Sequence, residues 1–301
     1  MKKFRPVVAV NYKLRVLLGK LARSQPVESN KAPLVICSVF KNEAVYLKEW
    51  LDFHVSQGVK KFYLYNNFSS DNFKEVLNPY IKQGLVVLKN TASKGMSVSI
   101  QSKEFNRGID HIKKELGAHC WVAFLDIDEY LFGLDKIDVP RILSGFTGKK
   151  VGAVVVNWLM FGTSNVKELS KQKTMIEQLV YRAPKEHVGS TIFKPIVYLA
   201  NVSCFFRGPH LPVVKRGAKF YYSDKTPLPI KQRKCVHEPL RINHYWYRSE
   251  EYYKTEKKIK RAAFGYNRSA RVEAHDIKES NKILDRTILQ SIEQTDSKAT
   301  K

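Results

Sequence analysis

The sequence predicts an α/β fold: a mostly parallel sheet with helices on both faces. Three observations predict it. Continuous apolar runs rich in Val, Ile and Leu recur from Leu34 onward. Segments of helical periodicity separate them, and each run gives way at once to short polar residues, where a parallel sheet opens to solvent. With 301 residues, 44% of them hydrophobic and 12% aromatic, the chain can bury a full core.

Residues 1–32 read as a basic amphipathic helix and a linker. Val7, Val10, Leu14, Leu17, Leu18 and Leu21 recur at helical spacing, Lys13, Arg15, Lys20 and Arg23 point elsewhere, and Pro6 suits a first turn. Such a stripe fits an anionic membrane interface, and equally fits packing on the domain or on a second subunit. Residues 25–33 lack periodicity and serve as the linker. The main domain spans residues 33–248. Strands are expected over 34–39, 61–65, 84–88 and 121–125, with helices over 43–57, 71–83 and 99–116 between them. A further strand covers 152–158, and beyond it the pattern becomes irregular and basic. Between Arg182 and Lys234 there are eleven Lys or Arg against only Glu186 and Asp224. Residues 249–301 read as a charged, helical C-terminal extension with a frayed end.

The formal charge of +24, from 52 Lys and Arg against 28 Asp and Glu, calls for an anionic partner: nucleotide phosphates, nucleic acid or an acidic membrane surface. A basic nucleic-acid-binding protein without catalytic activity is the alternative reading. Against it, no helix-turn-helix, zinc-finger or RNA-recognition signature is visible, so no nucleic acid is expected as partner. Cys37, Cys120, Cys204 and Cys235 are scattered, which argues against a zinc site or a disulfide scaffold and for a reducing compartment. No apolar run approaches the roughly 18 residues that span a bilayer. The expected location is cytoplasmic, peripheral on the inner face of the cell membrane.

Chemistry concentrates in Asp126-Ile127-Asp128-Glu129, placed directly after the apolar run Trp121–Leu125. A strand that ends this way delivers two carboxylates to its tip, where they can hold Mn²⁺ or Mg²⁺ against a diphosphate. The first strand ends in Lys41-Asn42-Glu43 and the second in Asn66 to Asp71. Both loops can hold a base and ribose; the second reads equally as a turn whose Asp71 caps the next helix. An Asp-X-Asp phosphatase would want Thr or Val where this chain has Tyr130.

Taken together, Lys41-Asn42-Glu43, Tyr46-Leu47, Glu49-Trp50, His54, Gly58, Asn66 to Asp71, Gln101, Asn106, Gly108, Trp121 and Asp126 to Glu129 resemble glycosyltransferases. The pattern continues through Asn157-Trp158, Phe161-Gly162, Ile242 to Tyr245 and Arg248-Ser249. It is most similar to glycosyltransferase family 92 and related bacterial family-2-like enzymes, over about residues 34–255. The resemblance implies a GT-A fold, a UDP-sugar or other nucleotide-sugar donor, a divalent cation, and a glycan or lipid-linked saccharide as acceptor. It places Asp126 and Asp128 at the metal and diphosphate position, and Glu43 and Asn67 in the nucleoside pocket. Lys41, Asp71 and Gln101 join them and Asp126 as candidate donor-binding residues. His244 completes the metal set, with His210 as a weaker candidate. Family-2 enzymes often carry Asp where this chain has Asn66 and Asn67, which leaves base recognition open. The related families are inverting and need one general base. Glu186 is the candidate because it is the rare acid in a basic segment; Asp224 and Glu238 are its rivals.

Overall fold

The computed structural model describes residues 7–258 and 269–292, apart from 96, 207, 230, 232 and 233. Pro6, the side chains of Val7 and Val10, and residues 293–301 lie outside the described residues.

Helix α1 (Val7–Leu21) precedes an alternating half. This comprises β1 (Leu34–Phe40), α2 (Ala44–Ser56), β2 (Val59–Asn66), α3 (Phe73–Lys82), β3 (Val86–Asn90), α4 (Val98–Leu116) and β4 (Trp121–Phe124). These strands lie parallel in the order β3-β2-β1-β4. All seven residues of β1 are buried, because helices cover both of its faces. The approach is closest at Gly108 of α4, where a Cβ would fall 2.5 Å from Cys37 Sγ. Glycine in mid-helix is unfavourable by propensity, so its place here follows from packing.

The second half holds β5 (Glu129–Gly133), α5 (Val139–Ser144), β6 (Val151–Met160), α6 (Met175–Gln178), β7 (Tyr181–Arg182), β8 (Phe193–Tyr198), β9 (Val202–Phe205), β10 (Pro212–Val214), β11 (Lys219–Tyr222) and β12 (Leu240–His244). The sheet continues β4-β8-β6-β12-β5, and β11 pairs with the first half of β6 while β12 pairs with its end. Strand β8 runs antiparallel to both neighbours, and β5 antiparallel to β12. The result is an α/β architecture built on a mostly parallel sheet.

A central strand at 193–198 departs from the irregular region expected there. Its Pro195 argues against a central strand. The ladder accommodates it because pairing with β4 runs only from Ala123↔Ile196 to Trp121↔Tyr198 and has stopped before Pro195.

These directions decide where the chemistry sits. The carboxyl ends of β1, β2, β4, β6 and β12 and the amino ends of antiparallel β8 and β5 meet at one rim of the sheet. Beyond it, α7 (Glu250–Tyr252) runs into a π-helical turn over Tyr253–Lys257. Later α8 (Ala270–Glu279), β13 (Ile283–Leu284) and α9 (Thr287–Gln290) return to the domain, β13 pairing with β7.

Helix α1 docks through its Arg15 and Gly19 side. Arg15 pairs with Asp110 of α4, Ser203 Oγ donates to Arg15 O at 2.6 Å, and a Cβ on Gly19 would sit 2.6 Å from Ser203 Cβ. The leucines of the stripe, Leu14, Leu17, Leu18 and Leu21, remain 49% to 67% exposed. No helix among the described residues is long and apolar enough to cross a membrane.

Candidate active site

The chain leaves β4 and turns within four residues into β5. Asp126 N donates to Glu129 Oε2 at 3.0 Å and Glu129 N to Asp126 O at 3.1 Å, so the acidic cluster closes its own turn. The carboxylate of Asp126, 35% exposed, accepts from Gln101 Nε2 at 2.7 Å and from Lys194 Nζ at 2.8 Å. Lys194, 1% exposed, also lies 3.3 Å from Glu129 and 6.0 Å from the Trp158 ring. Burial alone would disfavour its ammonium, but Asp126 and Glu129 hold it charged and raise its pKa. Burial raises the Glu129 carboxyl well above the usual range; Lys194 opposes this, while Asp126 and Asp128 reinforce it.

Asp128 lies deeper. Its Oδ2 accepts from Lys257 Nζ at 2.7 Å, and its Oδ1 lies 3.5 Å from His244 Nε2. The β5–β12 ladder makes this meeting inevitable, because His244 pairs with Glu129 and Tyr245 N donates to Asp128 O at 2.8 Å. Burial pushes the Asp128 carboxyl up, yet Lys257, His244 and Arg248 outweigh it and hold the group well below the ordinary range. Burial lowers the His244 pKa, and Asp128 opposes this. Its ring packs 4.2 Å from that of Trp158, and its Nδ1 is buried without a hydrogen-bond partner.

The β1 and β2 loops form the adjoining wall. Asn42 and Phe68 both take left-handed backbone, with φ 54° at each. Asn42 N donates to Ser69 Oγ at 2.9 Å and Ser70 N to Asn42 Oδ1 at 2.8 Å, bracing the two loops. Asp71 accepts from Ala44 N at 2.7 Å, so it caps α2 across the gap, whereas the turn reading expects it to cap its own helix α3. Asn67 Nδ2 donates to Thr91 Oγ1 at 3.1 Å, leaving its Oδ1 and the Asp71 Oδ1 buried without partners. Glu43 accepts from Arg248 Nη2 at 2.7 Å. The guanidinium lies 3.7 Å from the Tyr46 ring centroid and 4.5 Å from that of Tyr252. Burial raises the Glu43 carboxyl despite this pair.

The profile of glycosyltransferase family 92 matches residues 32–294. The chain belongs to glycosyltransferase family 92. A family 92 protein of Ricinus communis is 26% identical over 235 residues, covering 76% of this chain and 38% of that protein. One of Arabidopsis thaliana is 25% identical over 172 residues, covering 54% of this chain and 29% of that protein. The chain thus spans well under half the length of these relatives. Among solved structures, S. aureus TarS 1-349 in complex with UDP aligns at TM-score 0.35 and 16% identity, covering 56% of this chain and 47% of that one. Glucosyl-3-phosphoglycerate synthase from Mycobacterium tuberculosis, in complex with Mn²⁺, UDP and glucosyl-3-phosphoglycerate, aligns at TM-score 0.29 and 13% identity, covering 44% and 47%.

In this family 92 domain, Gln101, Asp126, Asp128 and His244 come together at the rim. Glu43 stands close enough to sense the Asp128 charge, and Lys41, Asn67 and Asp71 belong to the adjoining loops. Asp126, Asp128 and His244 do not close around one point: Asp128 and His244 meet, while Gln101 and Lys194 engage Asp126. No group of three or more His, Cys, Asp or Glu among the described residues is arranged to hold a metal. The Asp128–His244 pair still suits a divalent cation. A carboxylate beside an imidazole is a donor set compatible with Mn²⁺, and the Lys257 ammonium is the group that neutralises this carboxylate here.

Glu186 is exposed in the turn before Val188–Thr191, and among the described residues no hydrogen bond or ion pair joins it to the cluster. Its loop is nonetheless tied to β6 beside the site, through Asn157 Nδ2 to Ser190 O at 2.9 Å and Trp158 N to Ile192 O at 2.9 Å. Asp224 caps its own turn by accepting from Thr226 N, and Glu238 pairs with Lys185. His210 Nδ1 lies 2.8 Å from Phe193 O, its ring edge-on to Trp158. Sequence reasoning missed Lys194 and Lys257. A lone charge inside the run Phe193–Tyr198 marks Lys194; nothing distinguishes Lys257 among the lysines around it.

Proposed function

We propose that the domain transfers a sugar from a nucleotide sugar, with UDP as the nucleotide, to a hydroxyl of a glycan or lipid-linked saccharide, using Mn²⁺ or Mg²⁺ and inverting the anomeric centre. The observation that carries this reading is the meeting of Asp128 with His244 beside Asp126, at the rim shared with the β1 and β2 loops. Asp128 and His244 would hold the cation, which neutralises charge developing on a departing diphosphate. Lys194 keeps Asp126 oriented. Arg248 fixes Glu43, and the unpartnered Oδ1 atoms of Asn67 and Asp71 offer buried acceptors to a base or ribose. Inversion needs a single base, and Glu186 takes that role by removing the acceptor proton.

A thermal-shift series with UDP-, GDP-, CMP- and dTDP-sugars, each with and without Mn²⁺, tests the reading. UDP-sugar with Mn²⁺ at a hundredfold excess over its Kd is expected to add about 2.7 kcal/mol, a shift of several degrees, and to exceed either ligand alone. Equal melting temperatures across the series would remove the donor site.

We also infer that the acceptor is met at an anionic membrane face, the inner face of the cell membrane. The exposed leucines of α1 stand among exposed Lys13, Lys20 and Arg23 on a chain of net charge +24, a combination suited to an acidic interface. Co-sedimentation should find binding to phosphatidylserine vesicles that falls with salt. Leu17→Glu with Leu21→Glu should weaken it about a hundredfold, since each leucine buried contributes about 1.5 kcal/mol or more. Unchanged binding by a folded double variant would refute the location.

A further inference from the structure

Asp128 serves two masters in this site. The carboxylate is buried, so it needs a positive partner, and that partner is Lys257 at 2.7 Å. The same carboxylate, with His244 at 3.5 Å, is the pair best placed to take a divalent cation. An ammonium and a divalent cation on one carboxylate repel each other strongly at such separations. One must leave when the other arrives.

The two lysines of the cluster differ in how free they are to do so. Lys194 is 1% exposed and pinned between Asp126 and Glu129. Lys257 is 18% exposed and sits at the end of the π-helical turn Tyr253–Lys257. One carboxylate holds it, and its ammonium lies 5.0 Å from the Trp246 ring centroid, a face able to keep a cation once the carboxylate is taken. Such single π turns recur at functional sites because the extra residue re-aims the side chains. Here the neighbouring lysines turn elsewhere, Lys254 to Glu250 and Lys258 to Glu273, while Lys257 enters the site.

We propose that Lys257 is a resident counter-ion of the cation seat: it yields Asp128 when a divalent cation binds, and its freed ammonium then contacts the diphosphate of the donor. The inference rests on the proposed donor and cation, and deepens them by assigning a diphosphate-binding residue outside the Asp126-to-Glu129 cluster. It makes opposite predictions for the two ligands. Removing the Lys257 charge should tighten cation binding and weaken diphosphate binding, whereas a merely structural lysine would move both the same way or neither.

Titration calorimetry on the full chain tests this with Mg²⁺ alone, and then with UDP at saturating Mg²⁺. Lys257→Met keeps the length of the arm without its charge. It is expected to bind Mg²⁺ about tenfold tighter and UDP about tenfold weaker than the parent, the scale of one lost charge–charge contact. Lys257→Arg, which keeps the charge, should bind both ligands within about threefold of the parent. Mg²⁺ should also change tryptophan emission in the parent, and Trp246→Phe should reduce that change, leaving the part that comes from Trp158 beside His244. Equal Mg²⁺ affinity in parent and folded Lys257→Met overturns the inference alone. No Mg²⁺ binding by either protein overturns it together with the cation of the proposed function.

Discussion

Asp128→Asn is expected to lower turnover of the nucleotide sugar by about 10²–10³-fold, the scale on which one preorganised charge contributes to a transition state, while the protein remains folded. Asparagine has the shape of aspartate but offers a cation one neutral oxygen where two charged ones stood. The fold tolerates the change because of the partner left behind: Lys257 is 18% exposed and can turn to water, unlike a fully enclosed ammonium. His244 loses only a weak neighbour at 3.5 Å. Glu186→Gln supplies the contrast, since the base role proposed for Glu186 acts on the acceptor. That variant should keep cation and UDP affinity while transfer falls by about 10²–10⁴-fold. Donor hydrolysis, transfer assays and melting temperatures on the same preparations separate the cases. Full turnover in folded Asp128→Asn would end the metal role assigned to that residue.

How much of this was legible in the residues follows from where each partner lies along the chain. Strands β1 to β4 could be read because a parallel strand buried on both faces must be apolar throughout, as Leu34–Phe40 is. The acidic pair could be placed because it follows β4 directly, and ligands gather at strand ends. Strands β8 and β12 resist such reading, since each carries polar residues that are buried only by virtue of distant partners. Lys194 in β8 answers to Asp126, 68 positions away, and Arg241 in β12 to Asp285, 44 positions away. No local pattern encodes those meetings. Lys257 reaches Asp128 across 129 positions, from a segment in which six of the nine residues 250–258 are charged. The leucine stripe of α1 was visible as a stripe. Which side of the helix packs was not, because that choice depends on Asp110 and Ser203 of other elements.

The largest loss of stability is expected from Asp285→Asn. This carboxylate, 7% exposed, accepts from Arg182 Nε at 2.6 Å and from Arg241 Nη1 at 3.1 and 3.2 Å, and it receives Thr287 N at 3.0 Å. One negative charge therefore serves two buried guanidiniums. Neutralising it leaves both uncompensated, at a cost of about 3–5 kcal/mol. The effect should reach the site. Asn281, four residues before Asp285, accepts from Ser164 N at 2.7 Å, and a Cβ on Gly162 would fall 2.2 Å from its Oδ1, so the returning C-terminal segment braces the loop that follows β6. The pH dependence has a defined sign. Burial raises the Asp285 carboxyl, but Arg241, Thr287 and Arg182 outweigh it and bring its pKa to about 2, below the roughly 3.9 of an unfolded aspartate. A carboxyl depressed by folding contributes fully above the unfolded value and loses its contribution as pH falls through the folded one. The gap between parent and Asp285→Asn in urea unfolding should hold steady above about pH 5 and narrow from about pH 4 towards pH 2. A gap under about 1 kcal/mol at neutral pH, the value of an exposed pair, would mean that the Arg182–Asp285–Arg241 cluster does not staple the C-terminal segment to the sheet.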